Sequence, residues 1–170
     1  MLTPLSTEVF WQLYDEFLAL EKRVAYYNEK LKAMARAHPL CQRVQAIPGM
    51  GPLTATALVA AVPDATHVKN GRQFAAWLGL VPREHSTGGK PRLLGMSKRG
   101  DVSLRTLLVH GARATLRWVA LKHDPRSQGV RALVGRQENN RAAGALAHQN
   151  ARMVWALLAH NQAYNPPAAA

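Results

Sequence analysis

The chain has 170 residues, of which 48% are hydrophobic, so it is long and apolar enough to bury a core. Its 22 Lys and Arg residues outnumber its 10 Asp and Glu residues, and the formal net charge of +12 predicts a polyanionic partner, either nucleic acid or an anionic membrane surface. A single cysteine excludes an internal disulfide and fits a reducing interior, and no apolar run is long enough to cross a bilayer. We therefore expect a cytoplasmic bacterial protein, and of the two kinds of polyanion we predict nucleic acid and not a membrane as the partner.

The first predicted element is a long helix that starts near Ser6 and ends before Pro39. Its apolar residues are spaced alternately three and four apart over four heptads, which is the a/d pattern of a coiled coil. The alternatives are an amphipathic helix packed on its own domain and a helix that pairs with one outside this chain. The seam consists of Phe10, Leu13, Phe17, Leu20, Val24, Tyr27, Leu31 and Met34.

A Pro-Gly-x-Gly turn follows at residues 48–51, with one helix ending before it and another beginning near Pro52. This arrangement resembles a helix-hairpin-helix element, in which the backbone N–H groups around Gly49 and Gly51 can hold a nucleic-acid phosphate. The alternative is a Gly-Pro helix junction without a ligand. After it, a short helix ends at Gly79, a suitable C′ residue, and we expect Phe74, Trp77 and Leu78 in the core.

Residues 83–92, continued by residues 95–101, combine hydroxyls, glycines and cations within twenty residues. Ser86 and Thr87 offer nucleophilic oxygens, and Gly88 and Gly89 permit a tight turn close to a ligand. His85 could act as a base for Ser86, although adjacent side chains often point apart. The alternative is a solvated basic turn. The cations that could hold a phosphate are Lys90, Arg92, Lys98 and Arg99.

Asp101 is a natural N-cap for the next helix, which we expect to run to Trp118. Arg105 falls inside the apolar face of this helix and therefore needs a partner. It either clamps a phosphate or carboxylate, or extends its charge to solvent from the start of the helix.

The sequence His123-Asp124-Pro125 ends that helix, and two adjacent residues are too few for a metal site. A final alanine-rich helix spans residues 142–160, and the rest is a frayed tail that includes Pro166 and Pro167. We find no convincing strand, so the predicted fold is mainly α, a coiled-coil helix followed by a compact helical domain. Its predicted parts are residues 1–40, 41–120 and 121–170.

Three sequence blocks, at residues 47–55, 74–90 and 95–112, together resemble the C-terminal half of the insertion-sequence one-ten family of transposases. These enzymes are Piv/MooV-like, RNA-guided recombinases. The likeness runs in the family's order from about residue 40 to residue 118, and the heptad helix resembles the coiled coil that precedes this half in the family.

The resemblance implies an enzyme in which a RuvC-like domain with metal-binding acids and a serine-bearing domain form one active site. A guide (bridge) noncoding RNA selects the DNA. The family's serine maps best onto Ser86, with Thr87 and Ser97 as fallback candidates, and it would form a phosphoserine intermediate. Lys90, Arg92 and Arg105 would stabilise the phosphate by their charge. The remaining predicted nucleic-acid contacts are Gly49, Gly51, Lys98 and Arg99.

The sequence departs from the family because residues 1–46 hold no RuvC-like domain, so we expect a fragment or a truncated form. No cofactor is predicted for this chain, and Mg²⁺ is expected only with the missing domain. The predicted partners are DNA, the guide RNA and a second copy, as a dimer or tetramer, through the coiled coil. The alternative is a non-catalytic DNA- or RNA-binding module, dimerised by the coiled coil. A protein-interaction or structural module is a third, weaker possibility.

Overall fold

The computed structural model describes residues 3–87, 89–90, 92–121, 124–136 and 138–165. Within these ranges the chain forms seven α-helices and one two-stranded sheet, which confirms a mainly α fold. Among these residues, no helix combines the length and the apolar character needed to cross a membrane. The helices are α1 (Pro4–Ala37), α2 (Pro39–Gln45), α3 (Pro52–Ala61), α4 (Gly71–Trp77), α5 (Val102–Trp118), α6 (Pro125–Arg136) and α7 (Asn139–Ala159).

Helix α1 leaves most of its apolar seam in solvent. It begins at Pro4 rather than at Ser6, because the Thr3 side chain accepts the Ser6 N–H and caps the helix earlier. Seven of the eight seam residues are between 47% and 60% exposed, and Ala35, near the C-terminal end, is the buried residue of the helix. The alternative of a helix packed along its own domain is therefore wrong for most of α1.

The core forms around α7, which packs against α4 and α5. Small residues on its buried face let the neighbouring helices approach closely, and Leu146, Val154 and Leu157 fill the space between them. Phe74 and Leu78 are buried as predicted, and so is Cys41, whose thiol pKa is raised by burial. Trp77 was expected in the core, but it is 45% exposed, because Gly71, Phe74 and Ala75 form the buried side of its helix.

Helix α6 was missed by the sequence analysis. Asp124 caps it, since its carboxylate accepts the N–H and the Oγ–H of Ser127, at 3.2 and 2.7 Å. The predicted tail is also wrong in part: residues 161–165 are not helical, but Tyr164 packs on the core. His123, Pro166 and Pro167 lie outside the described residues.

His148, on α7, makes the stability of the fold depend on pH. Burial lowers its pKa below 6.5, and the charge of Arg152 lowers it further. As the pH falls, His148 is therefore protonated in the unfolded chain before it is protonated in the folded chain. Protonation favours unfolding, so the folded state loses stability as the pH falls below about 6.5. We expect His148→Gln to lose less thermal stability than the unsubstituted chain between pH 7.5 and pH 5. Thermal unfolding at each pH measures this, and a variant with the same acid sensitivity as the parent would contradict it; exposed His38→Gln is the control.

Candidate functional site

The basic stretch folds as a β-hairpin, which corrects the prediction that the chain has no strand. Strand β1 (Pro82–Glu84) pairs antiparallel with β2 (Leu93–Met96), with Pro82 opposite Met96 and Glu84 opposite Leu93. Beyond the strands, the His85 N–H donates to Arg92 O, and Thr87 and Lys90 form an isolated bridge. The serine stretch therefore occupies the tip of an exposed hairpin. Gly88 lies outside the described residues.

The Ser86 hydroxyl makes two hydrogen bonds at this tip, one as a donor and one as an acceptor. Its Oγ–H donates to Glu84 Oε1 at 2.6 Å, and its Oγ accepts the Arg92 N–H at 3.3 Å. The predicted partner His85 makes no hydrogen bond with Ser86 among the described residues. The contact with Glu84 was not predicted from the sequence, because residues two apart share a face only in an extended chain and no strand is predicted at this stretch. A hydroxyl held by a carboxylate can pass its proton to that carboxylate when the oxygen attacks an electrophile.

The four cations of the stretch, Lys90, Arg92, Lys98 and Arg99, are all exposed. The ion pairs found among the described residues lie elsewhere, between Lys32 and Glu29 and between His67 and Asp64. The hairpin and the loop after it therefore present four cations that form no ion pair in the described part of the chain. Such a surface attracts phosphate groups, and its attraction weakens as salt is added.

The loop that carries Lys98 and Arg99 is held tightly against the end of α4. The Ser97 N–H donates to Val81 O at 2.8 Å and the Lys98 N–H donates to Gly79 O at 3.1 Å. Lys98 itself has a φ of +56°, and a Cβ at Gly100 would lie 2.2 Å from Trp77 O. These backbone contacts fix the positions of Lys98 and Arg99 relative to α4. Ser97, a fallback nucleophile, is half-buried in this loop, whereas Ser86 and Thr87 are exposed.

The sequence predicts either that Arg105 clamps a phosphate or carboxylate or that it extends its charge to solvent, but its side chain lies inside the fold. It is 9% exposed, and its Nη1 donates to Leu78 O at 3.4 Å and to Gly100 O at 3.3 Å. These carbonyls belong to the two backbone segments that meet beneath the loop. Arg105 thus joins the loop to the end of α4, and the partner that its apolar position requires is the backbone of the chain itself.

The Pro-Gly-x-Gly turn joins α2 to α3 as predicted, and its two glycines differ in their surroundings. Gly49 has a φ of +91°, and a Cβ there would lie 2.5 Å from Gly111 O on α5. Gly51 is exposed, has no atom within 4 Å of such a Cβ, and precedes α3 as its N-cap. Close packing against α5 therefore explains why residue 49 is a glycine. Of the two glycines, Gly51 is the one with free space for a ligand beside it. A phosphate contact at either residue stays a prediction.

Metal ligands are not grouped anywhere in the described residues: no three or more His, Cys, Asp or Glu side chains lie close enough together to hold an ion.

Comparison with known proteins gives a family and several relatives. The profile described as the transposase IS116/IS110/IS902 family matches residues 41–129, just over half of the chain. The transposase for insertion sequence element IS1111A of Coxiella burnetii is 50% identical over 96% of this chain and 45% of its own length. A probable family 20 transposase of Pseudomonas aeruginosa is 49% identical over 94% of this chain and 47% of its own.

A transposase for insertion sequence element IS1328 of Yersinia enterocolitica is more distant, at 34% identity over 91% of this chain and 46% of its own length. The chain thus spans about half the length of the curated relatives that it matches.

Proposed function

Because this chain belongs to the IS116/IS110/IS902 family of transposases, we propose that it is the serine-bearing part of a DNA recombinase, with Ser86 as the nucleophile. The observation that carries the proposal is the pair of hydrogen bonds that hold the Ser86 Oγ between Glu84 and the Arg92 N–H at an exposed, cationic hairpin tip. A nucleophile must be reachable by a DNA backbone, and an exposed tip meets that need.

In the proposed step, the Ser86 Oγ attacks the phosphorus of a DNA phosphodiester. The Oγ–P bond forms, one P–O bond to a deoxyribose breaks, the Oγ proton passes to the Glu84 carboxylate, and solvent protonates the leaving sugar oxygen. Attack by the sugar hydroxyl of another strand then reverses the chemistry and frees the serine, so the bond energy is kept. Lys90 and Arg92, whose backbones pair with Thr87 and His85 in the hairpin, would stabilise the crowded phosphate by their charge.

Arg105 has no place in this step, since its guanidinium is buried on backbone carbonyls. We propose instead that it acts as a positioning residue for Lys98 and Arg99. A RuvC-like domain with Mg²⁺ and a guide RNA complete the proposed enzyme, as the family resemblance implies.

We also propose that α1 pairs with a second copy of itself. Its seam of Phe, Leu, Val, Tyr and Met side chains runs along a 34-residue helix and lies in solvent. Burying the exposed half of a large apolar side chain stabilises a complex by roughly 1 kcal/mol, and the sum over the seam favours a dimer or tetramer over a single exposed helix.

The test of the nucleophile is covalent trapping. The chain is mixed with labelled DNA that carries a matching element end, guide RNA, Mg²⁺ and the RuvC-like domain, and the products are run on a denaturing gel. We expect a protein–DNA adduct that disappears in Ser86→Ala and persists in the matched hydroxyl variants Thr87→Ala and Ser97→Ala. An adduct that survives Ser86→Ala and is lost in either control would assign the nucleophile elsewhere.

A second candidate function is a non-catalytic nucleic-acid-binding module. It is favoured by the +12 net charge and by the exposed cations of the hairpin. It predicts salt-sensitive DNA or RNA binding that is the same for the parent chain and Ser86→Ala, with no adduct from either.

A further inference from the structure

Two cavities lie side by side on α7 and share the side chains of Gln149 and Met153. One has a volume of about 620 Å³ and extends from these residues toward the start of α4. The other has a volume of about 440 Å³ and extends toward α6 and the residues after α7. They include none of the residues of the hairpin or of the Pro-Gly-x-Gly turn.

Each cavity is lined by the same kinds of group, two arginines and one large aromatic side chain. Among the described residues, no Asp or Glu lines either cavity. Two acids, Asp124 and Glu138, each lie two residues along the chain from a lining arginine. The Asp124 carboxylate accepts hydrogen bonds from Ser127, and Glu138 forms neither of the ion pairs found among the described residues. The first cavity holds Arg72, Arg152 and Trp155, and the second holds Arg126, Arg136 and Tyr164.

The charge of these arginines has no counter-ion in the described part of the chain, where neither ion pair includes any of the four. Arg126 shows this most clearly. Its guanidinium donates to Tyr164 Oη at 2.7 Å and to Asn150 Oδ1 at 2.6 Å, both neutral groups, and its Nε is buried without a partner. A half-buried cation that meets only neutral acceptors is stabilised when an anion binds beside it.

The aromatic rings are held in place before any ligand binds. The Trp155 Nε1–H donates to Val68 O at 2.9 Å and to Ala65 O at 3.2 Å, which fixes the ring against the wall of the first cavity. In the second cavity the Arg126 guanidinium lies 5.7 Å from the centre of the Tyr164 ring and is hydrogen-bonded to its hydroxyl. Little conformational entropy is then lost when a flat group stacks on either ring.

We propose that the two cavities form one groove, the α7 groove, that binds a single-stranded nucleic acid. Bases stack near Trp155 and Tyr164, and backbone phosphates pair with the four arginines. Arginines beside aromatic side chains in a concave surface are the chemistry by which proteins hold single strands, whereas a duplex keeps its base faces stacked on one another. DNA and RNA share this chemistry, so the groove accepts the phosphodiester strand of either.

The test measures binding of fluorescein-labelled oligo(dT), oligo(U) and a duplex, each of about 12 nucleotides or base pairs, by fluorescence anisotropy. We expect Arg72→Gln/Arg152→Gln to weaken single-strand binding about tenfold and to lower the slope of log affinity against log salt by about 1.4, or 0.7 for each lost phosphate contact. Arg23→Gln/Arg36→Gln removes the same charge from exposed positions of α1 and is expected to change affinity about twofold or less.

A second pair of variants tests stacking apart from charge. Tyr164→Leu is expected to weaken single-strand binding about tenfold, whereas Tyr164→Phe keeps the ring and most of the affinity. Equal losses in the groove variant and in the α1 control would overturn the proposal, as would equal losses in the two Tyr164 variants or an equal loss of duplex binding. Oligo(U) and oligo(dT) tell an RNA groove from a DNA groove.

The groove rests on the proposed function only in that nucleic acid is the partner. Its test needs neither the RuvC-like domain nor an adduct, and Ser86→Ala is expected to bind oligonucleotides as the parent chain does. The experiments can therefore disprove Ser86 as the nucleophile and still support the α7 groove, or disprove the groove and still support Ser86.

Discussion

Gly111→Ala is expected to destabilise the fold by about 3 kcal/mol or more, although alanine normally stabilises the interior of a helix. A Cβ at Gly111, on α5, would lie 1.9 Å from the carbonyl oxygen of Gly49 and 3.0 Å from the Gly49 carbonyl carbon. Both are backbone atoms of the Pro-Gly-x-Gly turn, so no side chain can rotate away. Either α5 or the turn must move, and the packing around Ala112 is then lost.

Thermal unfolding measures this result, and a loss of about 3 kcal/mol corresponds to a fall in Tm of roughly 6–12 °C for a chain of this size. The matched control is Gly129→Ala in α6, where a Cβ meets nothing within 4 Å. That variant is expected to gain up to about 1 kcal/mol from helix propensity. If Gly111→Ala were as stable as Gly129→Ala, the close contact between the turn and α5 would not exist.

Arg105→Met is expected to cost about 2–3 kcal/mol and to release the loop that carries Lys98 and Arg99. Methionine keeps the length and the apolar stem of the side chain but leaves the carbonyls of Leu78 and Gly100 without this donor. An unsatisfied buried acceptor costs about 1–3 kcal/mol. Amide hydrogen exchange should rise at residues 97–101 beyond its rise elsewhere, because the anchor of this loop is gone.

Two further variants tell an anchor from a simple charge effect. Arg117→Met makes the same change at an exposed position of α5 and is expected to alter stability by about 0.5 kcal/mol or less. Arg105→Lys keeps the charge but lacks the planar fork that reaches two carbonyls, so it should recover only part of the loss. Full recovery by lysine, or an equal loss in Arg117→Met, would contradict the anchoring role.

Local signals in the sequence predicted several elements because a nearby residue decides each one. Asp101 accepts the Leu104 N–H at 2.7 Å and starts α5, as its side chain and position suggested. Gly79 has a φ of +70° and ends the helical turn after α4, as a C′ glycine should. The heptad spacing predicted α1 because the period of apolar residues reflects helix geometry directly. The partner of that helix stays a prediction.

The hairpin was missed because its strands carry no alternating apolar pattern. Both strands are mostly exposed to solvent, and neither has a buried face. Without a buried face there is no alternation of apolar and polar residues from which a strand could be predicted. Helix α6 was missed for another reason: the pair Asp124-Pro125 both ends the preceding helix and supplies a cap and a first-turn proline for the next one, and only the first of these signals enters the prediction. Trp77 shows that helical spacing alone does not identify the buried face.

The candidate site, like the fold, could be predicted from the sequence only in part. Cations and hydroxyls could be selected by residue type and by the family resemblance, and the structure places most of them on one exposed hairpin and its following loop. Which group contacts the Ser86 hydroxyl depended on strand geometry, which is why His85 was named and Glu84 was not. The burial of Arg105 and the cavities on α7 depend on residues far apart in the sequence, and no short motif records such contacts.

The length of α1 would set a distance between two bound DNA sites. At a rise of 1.5 Å per residue, its 34 residues make a rod about 51 Å long, with the hairpin domain attached at the C-terminal end. Two copies joined antiparallel would hold their hairpins about one rod apart, the length of roughly 15 base pairs of B-DNA, and two parallel copies would bring both hairpins to one place. If α1 pairs with a second copy as proposed, the direction of pairing would therefore set the distance between the two proposed strand breaks.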